Sequence, residues 1–307
     1  MNIKEEFRRN LIFFRRIRNA DDIIVGYLDV PAKDGRVNLH VGDWGRSGWD
    51  YYNTGERPCN LGDYLAVPIV EYFLGKRGIS LDQPVQGKRH LFTVGSSVLY
   101  SFANATMWGP GVEYDGLNGT RWWEKYWDAN HRKLDIRAVR GPLTRQLLLK
   151  LGFACPEIYG DPGVLMPLIY PPPHTHKEQL AEYKIIPQMV SENEVRKYFP
   201  GDMIISMNTA DYRKVIDQIC SCKRVYSSSL HGIILAEAYG VPAVFYRALP
   251  GYVDFKYKDW YASTGRFDVP MAGSLVEAMR MGPPDLPDLK AMQQQLADVF
   301  PYDLWED

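Results

Sequence analysis

The stretch from Arg224 to Phe245, RVYSSSLHGIILAEAYGVPAVF, carries the densest set of groups able to do chemistry. Its pattern predicts a buried strand ending at Ser227, a small polar turn through Ser228 and Ser229, and an apolar helix starting near His231 and Gly232. A turn of that kind points free backbone N–H groups and the positive end of the helix dipole outward, with hydroxyls and an imidazole beside them. That is an anion site. The competing account is that Ser227 to Ser229 only cap the helix and that His231 is an ordinary turn residue.

A second group lies in DIRAVRGPLTR, residues 135–145. Arg140 falls at a strand end just before a helix, where its guanidinium can hold a carboxylate or a phosphate by a two-point fork. The alternative is a surface charge flanking the helix, and Arg137 and Arg145 read as solvated or structural pairs. Asn60-Leu-Gly-Asp63 opens the first long helix; Asp63 can cap it, and Gly62 lets a ligand approach the backbone. Gly95-Ser-Ser97 and Trp108-Gly-Pro-Gly111 are further loops of this type, and neither has the spacing of a dinucleotide or ATP loop. Trp122, Trp123, Tyr126 and Trp127 can stack on sugar faces or, at helical spacing, fill a core.

The elements that must position these groups alternate along the chain. Strand-like runs are Ile23–Leu28, Leu91–Val94 and Ile136–Val139, then Ile185–Val190, Met203–Ser206, Val225–Ser227 and Ala243–Tyr246. Amphipathic segments follow several of them, including Leu61–Leu74, a helix from Pro142 stopping at Gly152, and Leu286–Val299. This is the pattern of a parallel α/β fold. The breaker-rich run from Asp161 to Lys177 predicts a boundary between an α/β domain of residues 1–173 and another of residues 174–307. The expected architecture is two α/β domains facing each other across a cleft, with strand C-termini and helix N-termini at its opening.

Composition closes other routes. The 307 residues, 46% hydrophobic and 24% charged, exclude a disordered or fibrous chain. Lys+Arg 36 against Asp+Glu 37 leaves no basic field for nucleic acid. Cys59, Cys155, Cys220 and Cys222 form no disulfide framework, and the C-x-C pair reads as buried apolar cysteines rather than zinc ligands. His174 and His176 sit in a linker, so no metal site is expected. No apolar run reaches the ~20 residues of a spanning helix. Residues 1–18 lack the features of a signal peptide, which makes the cytoplasm the expected place. Phe7, Leu11 and Phe14 with Arg8, Arg9, Arg15, Arg16 and Arg18 around them describe a basic amphipathic helix. It docks on its own domain or, alternatively, touches anionic lipid at the inner membrane face.

At these motifs the chain resembles the polysaccharide pyruvyl transferase family, in particular its bacterial exopolysaccharide members. The resemblance runs from about Asn60 to Trp260. It rests on Asn60-Leu-Gly-Asp63, Trp108-Gly-Pro-Gly111, Val139–Arg145, Tyr159-Gly-Asp-Pro162, Ser227–Gly232 and Gly240-Val-Pro242. It implies two Rossmann-like domains in a glycosyltransferase-B-like arrangement, with the acceptor and Arg140 on the first and the donor on the second, and transfer of a pyruvyl group from phosphoenolpyruvate to two hydroxyls of one sugar, giving a cyclic ketal and phosphate. No cofactor is implied, and the acceptor would be a saccharide on a lipid or nucleotide handle. His231 matches the family's active-site histidine, Arg140 an arginine that contacts phosphoenolpyruvate, and Leu230 a source of backbone contacts. Ser229 stands where some members have an arginine, so its charge must come from elsewhere, with Arg247 and Arg224 as candidates. Gln188 stands where members often have a histidine. The rival readings are a nucleotide-sugar glycosyltransferase and a silent sugar-binding protein of the same assembly machinery.

Overall fold

The computed structural model describes residues 35–40, 60–100, 104–113, 128–172, 180–249 and 254–306. The expected strand at 23–28, the basic N-terminal helix, Cys59, the tryptophan cluster at 122–127 and the His174/His176 pair lie outside the described residues.

The alternation of apolar runs and helices does give parallel sheets. In the first, β1 (Arg36–His40), β2 (Lys88–Phe92), β3 (Ala105–Trp108) and β4 (Leu134–Ala138) pair side by side in chain order, all parallel. Helices α1 (Leu61–Tyr64) and α2 (Ala66–Gly75) precede β2, and α3 (Pro142–Lys150) follows β4. Proline at its first position suits α3 because that residue's N–H would have no helical partner. Gly152, at φ 86°, ends it as expected.

The second sheet is β5 (Lys184–Ile186), β6 (Val225–Ser227) and β7 (Ala243–Phe245), again parallel. Helix α4 (Tyr212–Cys220) precedes β6, and α5 (Leu230–Ala238) follows it. Two expected strands are corrected. β5 stops at Ile186 because Pro187 has no N–H to continue the ladder. Residues 203–206 form no strand: a 3-10 turn over Gly201–Met203 leads in, and only Ile204 bridges to Ile185.

Beyond β7 the chain runs through α6 (Phe255–Ser263) and α7 (Lys290–Asp298), the latter starting after Pro287 rather than at Leu286. These helices cross back to the first sheet. Trp108 Nε1 donates to Leu296 O at 2.9 Å, and Phe73 stacks on Phe300 with ring centroids 4.9 Å apart. One apolar cluster therefore joins Leu39, Phe73 and Trp108 of the first half to Ile186, Ile233 and Phe245 of the second. The first sheet ends at Ala138 and the second begins at Lys184, and the C-terminal segment packs against both. Cys155, Cys220 and Cys222 are buried and unpaired, and burial pushes their thiols up to about 11. No helix among the described residues is long and apolar enough to cross a membrane.

Candidate active site

The turn after β6 is held by its own serines. Ser227 Oγ donates to Ser229 O at 2.8 Å and accepts from Ser229 N at 3.1 Å. Ser228 Oγ accepts from Gln188 N, and Ser229 Oγ caps α5 by accepting from Gly232 N. These three hydroxyls are thus spent on shaping the turn, and the amides of Ser228, Ser229, Gly232 and Ile233 are satisfied within it or by β5. Leu230 and His231 are left at the first turn of α5 to offer amide donors. Gly232 is there for packing: a Cβ would stand 2.6 Å from Ser227 Oγ and 2.7 Å from Ile186 Cγ2.

His231, only 8% exposed, leans across the two halves of the chain. Its ring lies where a side chain on Gly62 would be, with Nδ1 1.9 Å from that Cβ position. Its Nε2 faces Asp161 Oδ2 at 3.5 Å. Neither atom has a closer hydrogen-bond partner. Asp161 is wholly buried, and its other oxygen accepts from Gly163 N at 2.9 Å. Burial alone would raise this carboxyl, but the charge and hydrogen bonding of His231 and the Gly163 amide hold it below the ordinary range.

Asp63 completes the group from α1. Asn60 caps the helix, its Oδ1 accepting from Gly62 N, and its Nδ2 donates to Asp63 Oδ2 at 2.7 Å. Asp63 Oδ1 sits over Gly95, 2.6 Å from where a Cβ would be, and the φ of 97° there independently favours glycine. Desolvation pushes the Asp63 carboxyl up from 3.8 to about 6, against the opposing charges of His231 and Lys256 and the Asn60 hydrogen bond. The bridge between Asn60 and Asn208, with Leu61 N donating to Met207 O at 2.8 Å, ties this helix start to the second half. The first turns of α1 and α5 and the turn at Asp161 therefore bring two buried acids and one imidazole together.

The arginines are placed differently from expectation. Arg140 is fully buried: Nε donates to Asp259 Oδ2 at 3.1 Å, Nη1 to Ser96 Oγ at 2.8 Å, and Nη2 to Val112 O. Asp259 Oδ1 also accepts from Leu143 N and Thr144 N, so one α6 carboxylate caps α3 and neutralises Arg140 at once. The fork is thereby turned inward beneath Gly111, and its charge helps hold the Asp161 carboxyl low. Arg247 is paired with Asp254. The pairing of Asp161 with His231 and the charge of Lys256 acting on Asp63 arise between distant segments and have no local sequence signal beyond the motif Tyr159-Gly-Asp-Pro162. Among the described residues no group of three His, Cys, Asp or Glu side chains is arranged to hold a metal ion.

The polysaccharide pyruvyl transferase family matches residues 60–247, a span that contains Asn60, Asp63, Arg140, Asp161 and His231. The chain belongs to this family. A curated relative, an uncharacterized protein of Acanthamoeba polyphaga mimivirus, is 33% identical over 93 residues, which are 29% of this chain and 32% of the relative. The matched region spans about a third of that protein's length. A crystal structure of an uncharacterized protein from Klebsiella pneumoniae subsp. pneumoniae covers 85% of this chain and 96% of its own, at 12% identity and a TM-score of 0.44.

Proposed function

We propose that this protein transfers a pyruvyl group from phosphoenolpyruvate to a sugar of a surface-polysaccharide precursor, forming a cyclic ketal and releasing phosphate. The supporting observation is the buried His231–Asp161 pair, with no nearer partner at either facing atom and with Asp63 alongside at the junction of the two halves. Family membership supplies the reaction class. Ketal formation needs a proton delivered to the donor's methylene carbon, attack of one hydroxyl at the adjacent carbon, departure of phosphate, and attack of the second hydroxyl. The two hydroxyl protons lost balance the one gained by the methyl group and the one carried off by phosphate.

In this reading Asp63, its carboxyl pushed up to about 6 by burial, is the proton donor to carbon. His231 takes the hydroxyl proton through Nδ1 while Asp161 holds Nε2 and stabilises the imidazolium that forms. The amides of Leu230 and His231 at the head of α5 receive the departing phosphate. The acceptor is a saccharide on a lipid handle, met in the cytoplasm at the membrane's inner face.

The test is incubation with phosphoenolpyruvate and candidate lipid-linked saccharides, followed by mass spectrometry for a pyruvyl ketal and an assay of released phosphate. Transfer is expected to persist in EDTA. Stabilisation by UDP- or GDP-sugars but not by phosphoenolpyruvate would overturn this reading in favour of a glycosyltransferase.

A further inference from the structure

The Asp161 carboxylate is carried neither by a strand nor by a long helix. It stands at the head of a single 3-10 turn, Pro162–Leu165, which it caps by accepting from Gly163 N at 2.9 Å. So short an element has few bonds of its own, and the place of its first residue is set by what packs around it. Pro162 lies against Gly109, just past β3, in space that any side chain there would fill. Gly163 faces Ile234 of α5, the helix that also carries His231. Gly160 meets α7, where a Cβ would stand 2.7 Å from Met292 Cγ and 2.9 Å from Leu296 Cδ1. The turn thus rests on both α5 and α7.

Gln293, half-buried on α7, bonds to this turn directly. Its Nε2 donates to Val164 O at 2.7 Å, and Val164 N donates in turn to Asp161 O at 3.0 Å. The last carbonyls of a helical turn have no partner within it, so the Gln293 amide satisfies a group the turn cannot. Helix α7 is itself fixed to the first sheet, since Leu296 O accepts from Trp108 Nε1. A chain of bonded groups therefore runs from β3 through α7 to the backbone of Asp161. The separation it governs is a sensitive one. Asp161 Oδ2 and His231 Nε2 lie 3.5 Å apart, beyond the roughly 2.7–2.9 Å of a tight charge-assisted hydrogen bond, so a fraction of an ångström decides whether that contact closes.

We propose that Gln293 is a positioning residue: through Val164 it holds the Asp161 turn at the distance from His231 that the reaction uses. This rests on the reading of His231 and Asp161 as the reacting pair. It gives the C-terminal helix a part in turnover, exerted through backbone and not through contact with substrate.

The experiment compares the wild type with Gln293→Met, which keeps the side-chain length and loses the donor, and Gln293→Glu, which sets a carboxylate against the Val164 carbonyl. Each is also made in the Asp161→Asn background. Thermal unfolding confirms the fold, initial rates with phosphoenolpyruvate and acceptor give kcat and the donor KM, and NMR follows the ring resonances of His231. Both single variants should lower kcat by about ten- to a hundredfold, the scale of a small misplacement of reacting groups, with the donor KM little changed. Both should move the His231 resonances. In the Asp161→Asn background neither should lower kcat further, because the carboxylate being positioned is gone. Folded single variants with wild-type kcat or unmoved His231 resonances, or losses that add in full to that of Asp161→Asn, would overturn the assignment while leaving the donor reading intact. A wild type that forms no ketal with any acceptor would overturn the donor reading, and the His231 resonances would still decide whether Gln293 places Asp161.

Discussion

Asp161 Oδ2 and His231 Nε2 face each other at 3.5 Å in the interior, from positions 70 residues apart in the chain. A carboxylate so placed keeps the imidazole oriented for proton transfer. His231→Ala should therefore stay folded and lose two or more powers of ten in turnover, about the range for loss of an acid–base group. Asp161→Asn should lose turnover as well, with the donor KM less affected. Phosphate release measured beside thermal unfolding checks both, and near wild-type turnover in a folded His231→Ala protein reduces the histidine to a capping residue.

Gly62 lies in α1 with an ordinary helical backbone, so its conformation alone would accept any residue. Its constraint is the ring of His231 resting against it. Gly62→Ala should displace that ring and lower turnover sharply, with a modest effect on stability and on donor affinity. Unaltered turnover would mean that the imidazole position is unimportant for the reaction.

For Arg140, burial redirects the expected phenotype. Breaking a buried ion pair leaves an uncompensated charge, commonly at a cost of about 3–5 kcal/mol. Arg140→Met should destabilise the fold on that scale in a denaturant titration, and Arg140→Lys should fall between it and the wild type because the fork to Asp259, Ser96 and Val112 is lost. An Arg140→Lys protein of native stability with impaired donor binding would restore the arginine to the cleft.

Asp63 gives the molecule a pH signature. A folded carboxyl at about 6, raised by burial from 3.8, binds its proton more tightly folded than unfolded. Its contribution to stability is then fully present below about pH 4 and is lost as pH rises through 6, a change of about 3 kcal/mol. Asp63→Asn cannot ionise, so the variant should gain on the wild type between pH 4 and pH 7. Asp161, held below the ordinary range, acts in the opposite sense, its stabilisation disappearing as pH falls toward acid. Chemical denaturation at a series of pH values measures both, and a wild type and Asp63→Asn with parallel profiles would dismiss the raised carboxyl.

What could be read from residues alone follows the range of the forces involved. The β6–turn–α5 unit and the end of α3 at Gly152 are written in local apolar runs, caps and breakers and stand where the pattern put them, while the helix expected over Leu61–Leu74 is divided at Leu65 into α1 and α2. β3 carries no alternation because all four of its residues are buried. The spacing around Arg140 located the strand end correctly but could not disclose Asp259, a partner 119 positions away inside another helix. The same limit applies to Asp161 and Lys256: both were visible as residues, and only the packing of distant segments assigns them neighbours.

The Asp259 carboxylate has a consequence for the order of events during synthesis. As the chain leaves the ribosome, β4 and α3 emerge while Arg140 lacks its counter-charge and the amides of Leu143 and Thr144 lack their acceptor. More than a hundred further residues must be made before α6 can supply all three. The first sheet can therefore collapse early but cannot lock, and the loops around Asp63 reach their final arrangement only when the last third of the protein docks. Translation pauses in that last third would prolong the interval in which an incompletely charged-balanced half waits for its closing helix.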